Sequence, residues 1–120
     1  MSSRSNYDFH LKLRNHHQEM LTQLLSRQEK AKLRYDEDLI AYGKLGTTSL
    51  PAFSRKKKIK SIPLGHPLYP RALASWTRTL NQDISRYLEG VPKIEQQIAD
   101  RRSDLEKEEL WLSSHSPPTD

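Results

Sequence analysis

The chain has 120 residues, of which 34% are hydrophobic, and it carries a formal net charge of +5. Globular domains are roughly 45–50% apolar, so this composition argues against a thick hydrophobic core, and a length of 120 residues is enough for one domain at most. The absence of cysteine excludes disulfides and cysteine-based zinc sites. No apolar run approaches the roughly 20 residues that a membrane span needs, and the N-terminus lacks the apolar region of a secretory signal, so we expect no membrane partner.

The N-terminal arm, residues 1–42, is predicted to form one long helix. Between Ser5 and Tyr42 it contains no proline or glycine and is rich in helix-favouring residues, and Gly43 is a natural stop. Large side chains recur at steps of three and four that group into elevens, a period typical of a nearly straight helix. This stripe is widened by Leu21, Leu25, Leu33 and Ile40. The residues of this arm that we expect to face a partner helix are Leu13, Met20, Leu24, Ala31, Tyr35 and Leu39.

The middle segment, residues 43–69, is predicted to be extended and basic. Its prolines and glycines forbid a long helix, yet it also carries large apolar side chains that plain linkers rarely contain. We expect a segment that is laid on a partner or back across the helices, the alternative being a flexible connector. Between Leu39 and Gln82 there are eight Lys or Arg residues and no Asp or Glu, whereas residues 83–120 have an acidic excess.

The sharpest motif of the chain is a cluster of cations in this middle segment, namely Arg55, Lys56, Lys57, Lys58 and Lys60. The run from Lys57 to Lys60 looks like a classical monopartite nuclear localisation signal, which an import receptor would bind in an extended conformation. The same cations could give a salt-sensitive contact with nucleic acid or another polyanion. A merely solvated basic loop is the third interpretation. We therefore expect the chain to be nuclear and, failing that, cytoplasmic.

The C-terminal arm, residues 70–112, is predicted to consist of two helices broken near residues 90–92. Pro70 suits the first turn of a helix, whereas Gly90 followed by Pro92 indicates a stop or a sharp kink. The residues of this arm that we expect to face a partner helix are Trp76, Leu80, Ile84, Ile94, Ile98, Leu105, Trp111 and Leu112.

The second half of this arm carries a partial heptad pattern. Apolar residues recur every seven positions from Val91, but the seam positions Arg101 and Glu108 are polar. Three consecutive apolar residues, 110–112, cannot all face one seam, so Trp111 and its neighbours form either a docking tip for a partner or ordinary helix-end packing. The tail, residues 113–120, is predicted to be disordered.

No catalytic, metal or cofactor site is predicted, so we expect a protein that is not an enzyme. The sequence contains no glycine-rich phosphate loop, no zinc-protease motif and no nucleophile elbow. His10 and His17 are two helical turns apart, about 10 Å, which is too far to share a metal easily. We expect His17, which lies on the apolar stripe, to be an interface side chain.

These patterns predict an all-α architecture, in which the C-terminal helices fold back on the first as an antiparallel hairpin or a loose three-helix bundle. Wide apolar stripes on so few helices leave surface that another chain would cover. We expect a non-enzymatic scaffold or adaptor subunit of a larger nuclear, chromatin-associated multiprotein complex that acts through helix–helix interfaces. The alternatives are a cytoskeletal or microtubule-binding protein and a direct nucleic-acid-binding protein that uses the basic middle segment.

Overall fold

A computed structural model describes residues 3–53, 59–115 and 117. In chain order it contains helix α1 (Ser3–Gly43), strand β1 (Leu50–Phe53), strand β2 (Ile59–Ile62) and helix α2 (Tyr69–Ser114). The two helices account for most of the described residues, which confirms the all-α fold class. Helix α2 extends to Ser114, so the prediction that the tail, residues 113–120, is disordered is wrong for its first two residues, whereas residues 116 and 118–120 lie outside the described part of the chain.

Helix α1 ends where the glycines of the sequence begin. Its last residue is Gly43, and the amide of Lys44 still donates to the carbonyl of Ile40 at 3.2 Å, as in a final helical turn. Three residues later Gly46 has a φ of +80°, a left-handed conformation that glycine adopts without a steric penalty. The chain therefore turns away from α1 over these few residues.

The middle segment contains two short strands that the helical periodicity did not reveal. Strands β1 and β2 pair antiparallel, with Leu50 opposite Ile62 and Phe53 opposite Ile59. The most basic stretch of the sequence, residues 54–58, connects the two strands along the chain and lies outside the described residues. The prediction of an extended segment is thus met in part by a two-stranded hairpin.

The predicted stop near residues 90–92 is wrong, because α2 is one helix that contains Pro92 in its interior, and the alternative of a kink there stays a prediction. Proline inside a helix costs about 3 kcal/mol, since it lacks an amide hydrogen and crowds the preceding turn. Pro92 is exposed, so water can hydrate the Leu88 carbonyl that it leaves without an intrahelical donor. The C-terminal arm is one helix rather than two, and the three-helix alternative is wrong with it.

The chain divides into two compact units, and both helices contribute to each. Unit 1 comprises Met1–Lys30 and Gly90–Asp120, and unit 2 comprises Ala31–Glu89. The glycine and proline that suggested a helix break therefore mark a boundary between units along α2.

Unit 1 is held by a small aliphatic cluster between its two helical segments. The pairing runs antiparallel, because His10 contacts Glu108 while His17, further along α1, contacts Arg101, which is earlier in α2. At about 25 cal/mol per Å², the burial of such side chains is the main stabilising term of the unit. The cluster consists of buried Leu21, Leu24, Ile98 and Leu105, with Ile94 packed against it.

Unit 2 is built from the last third of α1, the hairpin and the first half of α2. Tyr35 of α1 stacks on Tyr87 of α2, with ring centroids 4.4 Å apart and planes 18° from parallel. The buried side chains of this unit come from β1 and α2 and are Leu50, Tyr69 and Leu80. Its core therefore depends on a strand residue as well as on the helices.

Candidate interaction surfaces

The polar positions in the seam of α2 are paired with histidines of α1. The imidazole of His10 lies with Nδ1 2.6 Å from a carboxylate oxygen of Glu108, and Nδ1 of His17 lies 2.9 Å from Nη1 of Arg101. Arginine only donates, so Nδ1 of His17 is the acceptor. The two pairs are separated by seven positions, or two turns, on each helix. Because these contacts are specific, they fix the register of the two helical segments of unit 1, which non-directional aliphatic packing does not do alone.

The side chain of Trp111 lies between two imidazole rings. Its centroid is 3.7 Å from that of His10 and 3.9 Å from that of His115, with planes within 20° of parallel in both cases. Two rings stacked at such distances cannot share one face of the indole, so they lie on opposite faces. Tyr7 adds a tilted contact at 6.3 Å. Trp111 is thus packed at the helix end, whereas its neighbour Leu110 is 61% exposed.

The middle segment is anchored to α2 by two aromatic donors. The hydroxyl of Tyr69 donates to the carbonyl of Thr48 at 2.7 Å, and the indole Nε1 of Trp76 donates to the carbonyl of Pro51 at 2.7 Å. Leu50, between these two attachment points, is only 5% exposed. This part of the segment therefore lies back against the chain's own helix α2, as one of the predicted alternatives has it, whereas docking on a partner stays a prediction.

The concave spaces of the two units are shallow. A cavity of about 180 Å³ in unit 2 lies beside β1, and its mainly apolar lining includes Leu45, Leu50 and Trp76. A groove of about 330 Å³ in unit 1 is lined by charged side chains, including Arg27 and Asp104. Over the described ranges no three His, Asp or Glu side chains come close enough together to hold a metal ion.

The fourteen residues expected to face a partner helix fall into three groups. Those buried within the chain are Leu24, Leu80, Ile98 and Leu105. Those half-buried are Leu13, Met20, Tyr35, Trp76, Ile84, Ile94, Trp111 and Leu112. Those exposed are Ala31 and Leu39. Much of the predicted stripe is therefore occupied by contacts within the chain.

The apolar side chains that stay exposed are a different set. Leu33 and Ile40 of α1 are 57% and 60% exposed. Seven residues make two turns, so these two side chains share one side of the helix, away from Tyr35. We call this pair the outer stripe. Sequence periodicity placed both at the edge of the main stripe and so did not separate them from core positions.

The five basic residues singled out in the sequence are only partly placed. Arg55, Lys56, Lys57 and Lys58 lie outside the described residues. Lys60 belongs to β2, where it is opposite Ala52, and its side chain is outside the described part of the structure.

Comparisons with known proteins return no match. This holds for protein-family models, for curated proteins and for solved structures. Within the described ranges neither helix has a stretch apolar and long enough to cross a bilayer. A functional assignment must therefore come from the surfaces themselves.

Proposed function

We propose that this protein is a non-enzymatic scaffold or adaptor subunit of a larger nuclear multiprotein complex, in which helical surfaces bind partner subunits. One observation carries the proposal: in the described part of the chain ten large apolar side chains are more than a third exposed, whereas seven hydrophobic side chains are buried. Isolated exposed leucines are ordinary on soluble proteins, but an excess over the buried set is typical of a chain completed by a partner.

The outer stripe is the surface on which we centre the proposal. Full burial of a leucine or isoleucine side chain contributes about 1.5–3 kcal/mol, so Leu33 and Ile40 together could anchor a helix. The turn between them carries Asp36 and Glu37, and only Asp36 has an ion-pair partner within the described residues, namely Lys32 at 2.7 Å. A partner helix with an apolar stripe and basic flanks would match both features.

The test is affinity capture from nuclear extract of the source cells with a tagged chain. We expect Leu33→Asp/Ile40→Asp to lower recovery of the partner subunits about tenfold or more, because two carboxylates would be buried unpaired in the interface. Arg34→Ala is the matched control, since Arg34 is exposed on the same helix and outside the stripe. Equal helicity by circular dichroism would show that both variants fold. Equal recovery with wild type and the double variant would contradict the proposal.

Nuclear localisation is proposed from the basic cluster, and a second experiment separates it from the alternatives. Lys56→Ala/Lys57→Ala/Lys58→Ala in a fluorescent fusion should abolish nuclear accumulation and leave partner capture intact. If the variant instead stays nuclear but loses salt-sensitive binding to duplex DNA or to microtubules, the nucleic-acid or the cytoskeletal alternative replaces the import role.

A further inference from the structure

The two histidine contacts of unit 1 need different protonation states of the imidazole. Arginine only donates, so Nδ1 of His17 accepts from Arg101 only while it carries no proton. A carboxylate only accepts, so Nδ1 of His10 must carry a proton to bond with Glu108. An imidazolium is protonated on both nitrogens. Protonation therefore breaks the contact of His17 and leaves that of His10 intact.

The surroundings of His10 favour its charged form. When protonated, its imidazole forms an ion pair with Glu108, and the two side chains are only 26% and 15% exposed, which limits screening by solvent. One face of the Trp111 indole lies against the ring at 3.7 Å, and an indole face attracts a cation. On the other face, Nδ1 of His115 donates to the carbonyl of Trp111 at 2.7 Å, a bond that an imidazolium also makes. We call these four residues the helix-end cluster.

The surroundings of His17 oppose its charged form. The guanidinium of Arg101 is always charged and lies 2.9 Å from Nδ1, so a protonated His17 would place two cations in contact. Within the described residues no carboxylate forms an ion pair with His17. The ring of His16, 5.9 Å away, adds repulsion when it too is protonated. Acid therefore turns an attractive contact into a repulsive one.

Two further charged side chains lie between the two contacts. Arg14 of α1 and Asp104 of α2 are each one turn from both contacts along their own helix, and both are half-buried. Arg14 disfavours an imidazolium at either site, whereas Asp104 favours one. The other charged side chains in these turns of the two helices are exposed, where solvent and salt screen them. The groups in direct contact with each histidine therefore decide its response.

We propose that unit 1 contains a two-way pH switch, in which acid breaks the contact of His17 with Arg101 and strengthens the helix-end cluster. Imidazoles ordinarily change charge between about pH 5 and 8. A contact that needs the neutral form stabilises the fold at the upper end of this range and is lost as the pH falls, whereas a contact that gains from the charged form does the reverse. Acid therefore moves stability from the middle of the helix pair to its end. The switch does not depend on the outer stripe of α1.

The test compares His17→Gln and His10→Gln with the wild-type chain by urea unfolding at about pH 7.5 and 5.5. Glutamine offers an amide for hydrogen bonding at either site but does not titrate. We expect the ratio of the unfolding constant in acid to that at neutral pH to be about fivefold smaller than wild type for His17→Gln and about fivefold larger for His10→Gln. His16→Gln is the matched control, since it removes an exposed histidine and should leave the ratio unchanged.

Nitrogen-15 NMR spectra of the imidazole rings test the same assignment on the wild-type chain, even if a variant fails to fold. At about pH 8 we expect neutral His17 to carry its proton on Nε2, with Nδ1 free to accept from Arg101. A neutral His17 protonated on Nδ1 would overturn the proposal. So would ratios of the unfolding constants that move in the same direction for His17→Gln and His10→Gln.

Discussion

The two units of this chain use the same two helices but are held together by different chemistry. In unit 1 the helices pack on an aliphatic cluster around Leu24 and Ile98, and paired polar side chains fix their register. In unit 2 aromatic side chains make the connecting contacts, through the Tyr35–Tyr87 stack and through hydrogen bonds from Tyr69 and Trp76 to the backbone of the non-helical middle segment.

The difference shows how a short chain holds a non-helical segment in place. Aliphatic packing is non-directional and suits two regular helices, whereas a non-helical segment has backbone carbonyls that need individual donors. Aromatic residues with a polar end meet that need, because the ring packs while the hydroxyl or indole N–H bonds. The exposed outer stripe lies on the part of α1 that belongs to unit 2, so this unit is also where we place the partner surface.

The largest expected effect is on the aliphatic cluster of unit 1. Ile98 is 5% exposed, and Ile98→Ala should lower the free energy of unfolding by about 3 kcal/mol, since it removes buried methylene groups and leaves a cavity. Leu110→Ala, at an exposed position of the same helix, should change it by less than about 0.5 kcal/mol. Urea unfolding followed by circular dichroism measures both. Equal effects of the two variants would show that unit 1 is not held by this cluster.

A substitution at the boundary between the units is expected to raise the free energy of unfolding instead of lowering it. Pro92→Ala restores an amide donor for the carbonyl of Leu88 and should stabilise the chain by about 2 kcal/mol. Pro70→Ala is the control, because Pro70 lies in the first turn of α2, where no intrahelical donor is lost. Destabilisation by Pro92→Ala would mean that the helix is interrupted there.

The anchor of the middle segment in unit 2 is expected to contribute less. Tyr69→Phe leaves the ring in place but removes the bond to the Thr48 carbonyl, and it should lower the free energy of unfolding by about 1–2 kcal/mol. Tyr42→Phe alters an exposed hydroxyl and should have no measurable effect. If both variants unfold at the wild-type urea concentration, the segment is not held by this bond.

The register contacts of unit 1 come next. His10→Ala removes both the bond to Glu108 and one face of the stack on Trp111, and we expect a loss of about 1 kcal/mol. His16→Ala removes an exposed imidazole from the same helix and serves as the control. Thermal unfolding compares the two, and a larger loss for His16→Ala would contradict the assigned register.

The smallest effect is expected at the exposed ion pair of unit 2. The hydrogen bond to Asp36 raises the pKa of Lys32 above its ordinary value of 10.5, with slight desolvation acting against it. Such a shift stabilises the fold fully at pH values below 10.5, and the stabilisation is lost as pH rises through the raised pKa of the folded state. Because this pair is solvent-exposed, Lys32→Met should leave the melting temperature unchanged between about pH 6 and 9. A clear drop would show that the pair is more important than its exposure suggests.

Sequence periodicity was sufficient for the regular parts of the molecule. Leu24, Ile98 and Leu105 lie on repeats of the sequence and are buried, and the glycines after Tyr42 end α1 close to where they were expected to. The heptad pattern also identified Arg101 and Glu108 as polar residues at positions that are normally hydrophobic. It could not supply their partners, because His17 and His10 are 84 and 98 residues away along the chain.

Local signals failed where a contact distant in sequence outweighed them. Gly90 and Pro92 argue for a break, yet α2 is continuous, since the propensity of two residues is small beside the packing of a 46-residue helix. Likewise, nothing local marks Leu33 and Ile40 as exposed and Leu21 as buried. All three lie at the edge of one stripe, and only the direction from which α2 approaches separates them.

What the sequence determined by itself is therefore the class of the fold, the length of α1, the concentration of positive charge in the middle segment and the shortage of core residues. Each of these follows from composition or from spacing along one helix. Tertiary structure alone decided which side chains are buried, that α2 passes through Pro92, and that the carbonyl of Pro51 in β1 accepts a hydrogen bond from Trp76. Those outcomes depend on contacts between residues far apart in the chain, and the free energy of such contacts is not encoded at any single position.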